Sequence, residues 1–253
     1  MLDECDIDAV YVVTLPGHLK PIVRECLARG IHTSIEKSPG MDSDETKDML
    51  EASRKSEGIA IVSMNRRYIP EVLAVKRMLL SHGGAVQVAA VYHKQVTVLA
   101  DPTPDSIICD AIHHVDLVRW LAGSSLETSG EVTWVEADSG EGARKGTRRY
   151  NAVFGFESGC RGTMMSHMGV GFRIQRLEAH AEDFSAYVDL TASPVCELYE
   201  EGGYLLLSLQ PLTADQQQQA LRAWRREDFL RPECLRPGVS PSLHVACGFA
   251  ARC

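Results

Sequence analysis

Nowhere among the 253 residues does an apolar run reach the ~18 residues that a bilayer crossing needs. Cysteine pairing is missing as well. Cys5, Cys26, Cys109, Cys160, Cys196, Cys234, Cys247 and Cys253 are scattered, with no CxxC pair and no metal-ligand spacing, so neither a metal site nor a disulfide framework is expected and the thiols read as reduced. Positive charge is in deficit, with 26 Lys and Arg against 34 Asp and Glu and a formal net charge of −8. A nucleic-acid binder needs a basic footprint, and no Lys/Arg stripe supplies one. The first residues, MLDECDID, are acidic and lack the basic start of a signal peptide. No internal repeat stands out, and Gln216–Gln219 is the one short stretch of low complexity. What is there, 45% hydrophobic and 24% charged residues, suits a soluble globular protein with one or two cores. These features together predict a cytoplasmic protein with a small-molecule partner, no nucleic acid and no membrane.

Hydrophobic periodicity divides the chain. DAVYVV (8–13) reads as a strand, GHLKPIVRECLARG as a helix closed by Gly30, and 31–36 as a second strand. A second helix begins near Asp42 or Ser43, where Asp44 and Glu45 suit the positive end of the helix dipole, and runs to Gly58. The strand IAIVSM (59–64) follows. Near-continuous apolar strands alternating with amphipathic helices predict a parallel sheet buried on both faces. From about residue 84 the pattern changes to polar and apolar alternation. A helix at 110–122 interrupts it, and the short segments EVTWVEA, RYNAVFGFES, CRGTMMSHM, FRIQRLEAH, EDFSAYVDL, VCELYEE and YLLLSLQ then crowd together. Ser158-Gly159 and Gly202-Gly203 supply turn chemistry between neighbours. The expected fold class is therefore α/β: a partial Rossmann-type parallel sheet over 1–83, then an α+β unit with an open antiparallel sheet over 84–222. Residues 223–253 form a tail of no assigned fold.

Three stretches can carry chemistry. GIHTSIEKSPG (30–40) sets Glu36 and Lys37 at the carboxyl end of a strand, where ligands bind in open parallel sheets. A lysine there can present an ammonium to a substrate hydroxyl, while the plainer reading is a surface lysine before a loop. In CDAIHHVDLVRWLAG (109–123), His113, Asp116, Leu117 and Trp120 share a helix face, so the Asp116 carboxylate is near enough to orient the imidazole. Histidine is the natural acceptor for the proton of an alcohol undergoing oxidation. The alternatives are a core or cap histidine at 113 and 114, and an N-cap at Asp110. In NRRY (65–68), Asn65 and two arginines stand at another strand end, for a polar ligand or phosphate or for surface ion pairs.

Taken together, VVTLPGHLKPIVRECLARGIHTSIEKSPG, VSMNRRYIPEV and IHHVDLVRWLAG resemble, in order and approximate spacing, segments of the glucose-fructose oxidoreductase/inositol dehydrogenase family (Gfo/Idh/MocA). The likeness covers roughly residues 7–125 and, more loosely, the sheet to about 208. It implies NAD or NADP as cofactor and a sugar, polyol or related metabolite as substrate. It makes Lys37 the contact to the reacting hydroxyl and His113 the acid/base, with Asp110 or Asp116 setting the histidine's orientation. Thr14, Pro16, His18, Glu36, Lys37 and Asn65 would line the cofactor, and a homo-oligomer would form through the antiparallel sheet. The sequence departs from the family in EKSP for EKP, which inserts a serine, and in LPGH for a PNH-like loop. It also has no G-x-G-x-x-G turn, the segment that lets the backbone approach the dinucleotide pyrophosphate; SGEGARKG (139–146) has the wrong spacing. An N-terminally truncated dehydrogenase is the expectation, because the half-sheet would otherwise expose an apolar edge at Ala9–Val13. The alternatives are a shortened homologue that keeps redox-independent acid/base chemistry, and a cofactor-free binding or scaffold-like one.

Overall fold

The computed structural model describes residues 2–95, 107–142, 147–192 and 195–200, and the backbone of 203–207. The tail from 223, Gln216–Gln219, Gly202 and part of SGEGARKG lie outside the described residues.

Three short strands, β1 (Ala9–Val12), β2 (His32–Ile35) and β3 (Ala60–Val62), form a parallel sheet in that order. Parallel neighbours need a crossover, and two helices supply it: α1 (Pro16–Ala28) and α2 (Ser43–Lys55). Pro16 opens α1, where its missing N–H costs nothing, and Gly30, at φ +75°, turns the chain out of it. Asp42 caps α2 as the sequence predicts, its Oδ1 accepting from the N–H groups of Asp44 and Glu45 at 2.9 Å each. That helix ends at Lys55, short of Gly58. Val12, Leu19, Val23, Leu27, Ile35 and Met49 make one core between sheet and helices. The expectation of burial on both faces is corrected: the two helices cover one face, and Tyr11 and Ile61 on the other are 73% and 59% exposed.

A helix the periodicity did not assign, α3 (Pro70–Ser81), leads into β4 (Gln87–Gln95). Beyond it come a π-helical turn, Ile107–Ala111, and α4 (Ile112–Leu121). The remaining strands are β5 (Val132–Glu141), β6 (Arg148–Phe156), β7 (Arg161–His167), β8 (Gly169–Ala181), β9 (Phe184–Asp189), β10 (Val195–Glu200) and β11 (Gly203–Leu207). Among the described residues they form one eight-stranded sheet, in the order β11-β10-β9-β8-β4-β7-β6-β5. It is mixed rather than wholly antiparallel, since β4 pairs antiparallel with β8 and parallel with β7. The cause is the crossover through α4, after which the β5-β6-β7 meander delivers β7 beside β4 in the same direction.

Helices α3 and α4 lie on one face of this sheet. Val72, Val75 and Leu79 from α3 and Leu117, Val118 and Leu121 from α4 pack on Val88, Ala90, Met164 and Leu177. Each of these Val, Leu and Met side chains, fully buried, contributes about 1.5–3 kcal/mol. Helix α4 comes unusually close to β7, because a Cβ on Gly162 would stand 2.5 Å from Val118 Cγ1. Lys76 of α3 is wholly buried and donates to the carbonyls of Leu121 (3.3 Å) and Gly123, which closes the C-terminal end of α4. Cys5, Cys26, Cys109, Cys160 and Cys196 are thiols rather than disulfides. No helix among the described residues is long and apolar enough to cross a membrane.

Candidate active site

Because β1, β2 and β3 are parallel, their carboxyl ends share one edge, and the loops leaving it hold the residues that the sequence singles out. Thr14 and His18 follow β1, Glu36 and Lys37 follow β2, and Asn65 opens a 3-10 turn, Asn65–Tyr68, after β3. Thr14, His18 and Asn65 are exposed, and Pro16, Glu36 and Lys37 half-buried.

Two hydrogen bonds tie the loop after β2 to the turn that precedes α4. Lys37 Nζ donates to the carbonyl of Cys109 and Ser38 Oγ to that of Ile108, both at 2.5 Å. Lys37 is thereby held at the start of α4, with ammonium protons left over for a ligand. His113 lies there, 7% exposed, with its Nδ1 unpartnered. Burial, helped by the positive charges of Arg66, Lys37 and Arg173 and opposed by Asp110, pushes its pKa down to about 4. The imidazole is therefore neutral at physiological pH and able to accept a proton. His114 is wholly buried, with both ring nitrogens unpartnered and its ring edge-on to Tyr92 at 5.0 Å; burial drives it well below the usual histidine range.

The two candidate aspartates part company. Asp110 sits in the π-helical turn, not at the cap, which Ala111 occupies without a side-chain bond. Its Oδ1 accepts from Lys94 Nζ at 2.9 Å and, at a long 3.4 Å, from the Tyr92 hydroxyl. Asp116, which helical spacing set beside His113, turns both carboxylate oxygens to Arg67, one of them at 2.7 Å from Arg67 Nε. The bidentate pair fits the planar guanidinium fork. Lys37, His113 and Asp110 thus meet in one place, and Asp116 fastens α4 to the 3-10 turn.

The NRRY pair resolves in the same way: Arg67 is ion-paired, whereas Arg66 has a buried, unpartnered Nε and lies 5.9 Å from the Tyr92 ring centroid. Sequence reasoning missed Tyr92, Lys94, Arg173 and Gln175. A signal was present, since polar residues at 92 and 94, and at 173 and 175, continue the alternation that Val88 and Ala90, and Leu177 and Ala179, set as core-facing.

No family model matches the chain. It is 26% identical over 132 residues to an inositol 2-dehydrogenase of Saccharopolyspora erythraea, a match covering 51% of this chain and 39% of that protein. The chain therefore spans well under half the length of that curated relative. In fold it is similar to a levoglucosan dehydrogenase solved in complex with NADH and L-sorbose, with a TM-score of 0.70 and 17% identity, over 83% of this chain and 63% of that one. A UDP-N-acetylglucosamine 3-dehydrogenase from Acidithiobacillus ferrooxidans gives a TM-score of 0.69 at 18% identity, over 95% and 76% of the two chains. Sequence motifs and fold together bear out the resemblance of the chain to the Gfo/Idh/MocA oxidoreductases.

Proposed function

We propose that the chain carries the substrate side of an NAD(P)-dependent oxidoreductase that acts on a hydroxyl of a sugar, polyol or related metabolite. The observation that carries this reading is the meeting of Lys37 with a buried, neutral His113 at the carboxyl edge of a parallel sheet. An ammonium that donates to the substrate oxygen stabilises negative charge as it develops there, and a neutral imidazole beside it takes the hydroxyl proton. Lys37, held by the Cys109 carbonyl, fixes the oxygen, and Asp110 anchors Lys94 and Tyr92 next to the pair.

A nicotinamide, when bound, supplies the hydride acceptor. The exposed Thr14, His18 and Asn65 and the half-buried Pro16, Glu36 and Lys37 fit its approach along the strand ends. The sequence has no G-x-G-x-x-G turn, and no residue of it is assigned to the pyrophosphate. The outward face of the eight-stranded sheet, with Trp134, Val153, Met165 and Tyr187 partly exposed, is proposed as the surface through which copies associate.

Titration of the purified chain with NAD+ and NADP+, followed by thermal shift, tests the reading. A rise in Tm with either dinucleotide is expected, by mass action. No rise at millimolar concentration of both would overturn it for this chain.

A further inference from the structure

Beneath Lys37 and His113 the sheet is polar where its neighbouring row is apolar. Ser166 of β7, Tyr92 of β4 and Gln175 of β8 are direct cross-strand partners, so their side chains leave the same face of the sheet. One row further along, Met164, Ala90 and Leu177 are plain core. Arg173, two residues before Gln175, stands close enough for its charge to act on Tyr92, Arg66, His113 and His114.

Two members of the row carry atoms without a partner. Ser166 and Gln175 are each 2% exposed, and the Ser166 hydroxyl and Gln175 Oε1 make no hydrogen bond. The same holds for Arg66 Nε and the ring nitrogens of His114 noted above. An unsatisfied buried polar group costs about 1–3 kcal/mol, and a bound ligand is one means of satisfying it. The charge is one-sided too. Asp110 is already engaged by Lys94, and neither Arg66 nor Arg173 has a carboxylate partner among the described residues. In a chain of net charge −8, positive charge gathered at one place, part of it buried, is the opposite of the general surface.

We infer that the site takes a polyhydroxy compound bearing an anionic group, a carboxylate or a phosphate, which Arg66 and Arg173 bind while Lys37 and His113 meet its reacting hydroxyl. The placing of that hydroxyl rests on the oxidoreductase reading; the anion preference does not. Arginine suits both anions, because its donors form a fixed fork that matches two oxygens at once.

Calorimetric titration of the cofactor-free chain separates the possibilities. The probes are D-gluconate for the carboxylate, D-glucose 6-phosphate for the phosphate, and D-glucose and myo-inositol as neutral controls. One of the acids is expected to bind at least about tenfold more tightly than either neutral compound, the gain of one charge-assisted hydrogen bond. Arg66→Gln and, separately, Arg173→Gln should bring that acid down toward the neutral compounds. Arg173 is exposed, so its variant keeps the fold available as a control even where Arg66→Gln lowers stability. Equal binding of acids and neutrals, acid binding that survives both substitutions, or no acid binding at millimolar concentration would each overturn the inference. No nicotinamide is present in this titration, so its failure is distinct from failure of the NAD+ and NADP+ test.

Discussion

Protonation in the candidate site is set at single residues. Two adjacent histidines, His113 and His114, are buried and held neutral, the first with a pKa pushed down to about 4 from 6.5. A histidine whose folded pKa is depressed binds fewer protons in the native than in the unfolded state. Its contribution to stability is thus complete above about 6.5 and is lost as pH falls through that value toward 4. For His113 that interval is worth roughly 3 kcal/mol. Thermal unfolding followed from pH 7.5 to 4.5 should show Tm falling on the acid side, and His114→Leu, which removes two unpartnered nitrogens, should flatten the fall. A Tm independent of pH over that range would mean that the two imidazoles are not desolvated. For activity, His113→Gln should lower turnover of a polyol by about 10²–10⁴-fold, the usual worth of a positioned acid/base, with little change in thermal stability at pH 8.

At the scale of elements, the site depends on how α4 is pinned. Lys76 closes its C-terminal end, Gly162 lets it press onto β7, and the Arg67–Asp116 pair staples it to the 3-10 turn after β3. Removing one member of a largely buried ion pair strands the other charge, so Asp116→Ala should destabilise the fold by about 2–4 kcal/mol in denaturant melts. The double variant Arg67→Met/Asp116→Leu, which leaves no charge behind, should recover most of that loss. If Asp116→Ala left stability intact and altered only the pH profile of turnover, Asp116 would be orienting His113 instead. Local signals made some elements legible in the sequence: α2 carries its own cap in Asp42, and α1 its own punctuation in Pro16 and Gly30. Lys37 and His113 were legible for a related reason, each lying in a motif at an element's end. The partner of Asp116 was not, because helical spacing says which residues share a face but not which side chain from another element will reach them. The same limit hid the parallel β4–β7 pair, whose partners lie far apart in sequence.

For the whole molecule, the two sheets pose different questions. The small parallel sheet presents Tyr11 and Ile61 on a face that no described element covers. The eight-stranded sheet keeps its helices on one side, and on the other Trp134, Val153, Met165 and Tyr187 stand 38–48% exposed. That open face was readable as a sequence property, since the alternation of the strands after residue 84 leaves one set of side chains without helices to cover it. Its apolar members lie on the adjacent strands β5, β6 and β7 and, beyond β4 and β8, on β9, and charged neighbours such as Glu136, Arg176 and Glu178 surround them. A self-complementary face of this kind, paired with its own copy, would have to bury more than about 1,000 Å² to hold a stable dimer, and an eight-stranded sheet offers the breadth. Light scattering on the eluting chain at micromolar concentration should therefore report a mass of at least twice the 27.8 kDa of one copy. Val153→Asp with Met165→Lys, both on the outward face and away from Lys37 and His113, should return it to the mass of a monomer. A wild-type chain that already elutes as a monomer would remove this face as an interface between copies, and would leave the Lys37–His113 site to be judged by its own titrations.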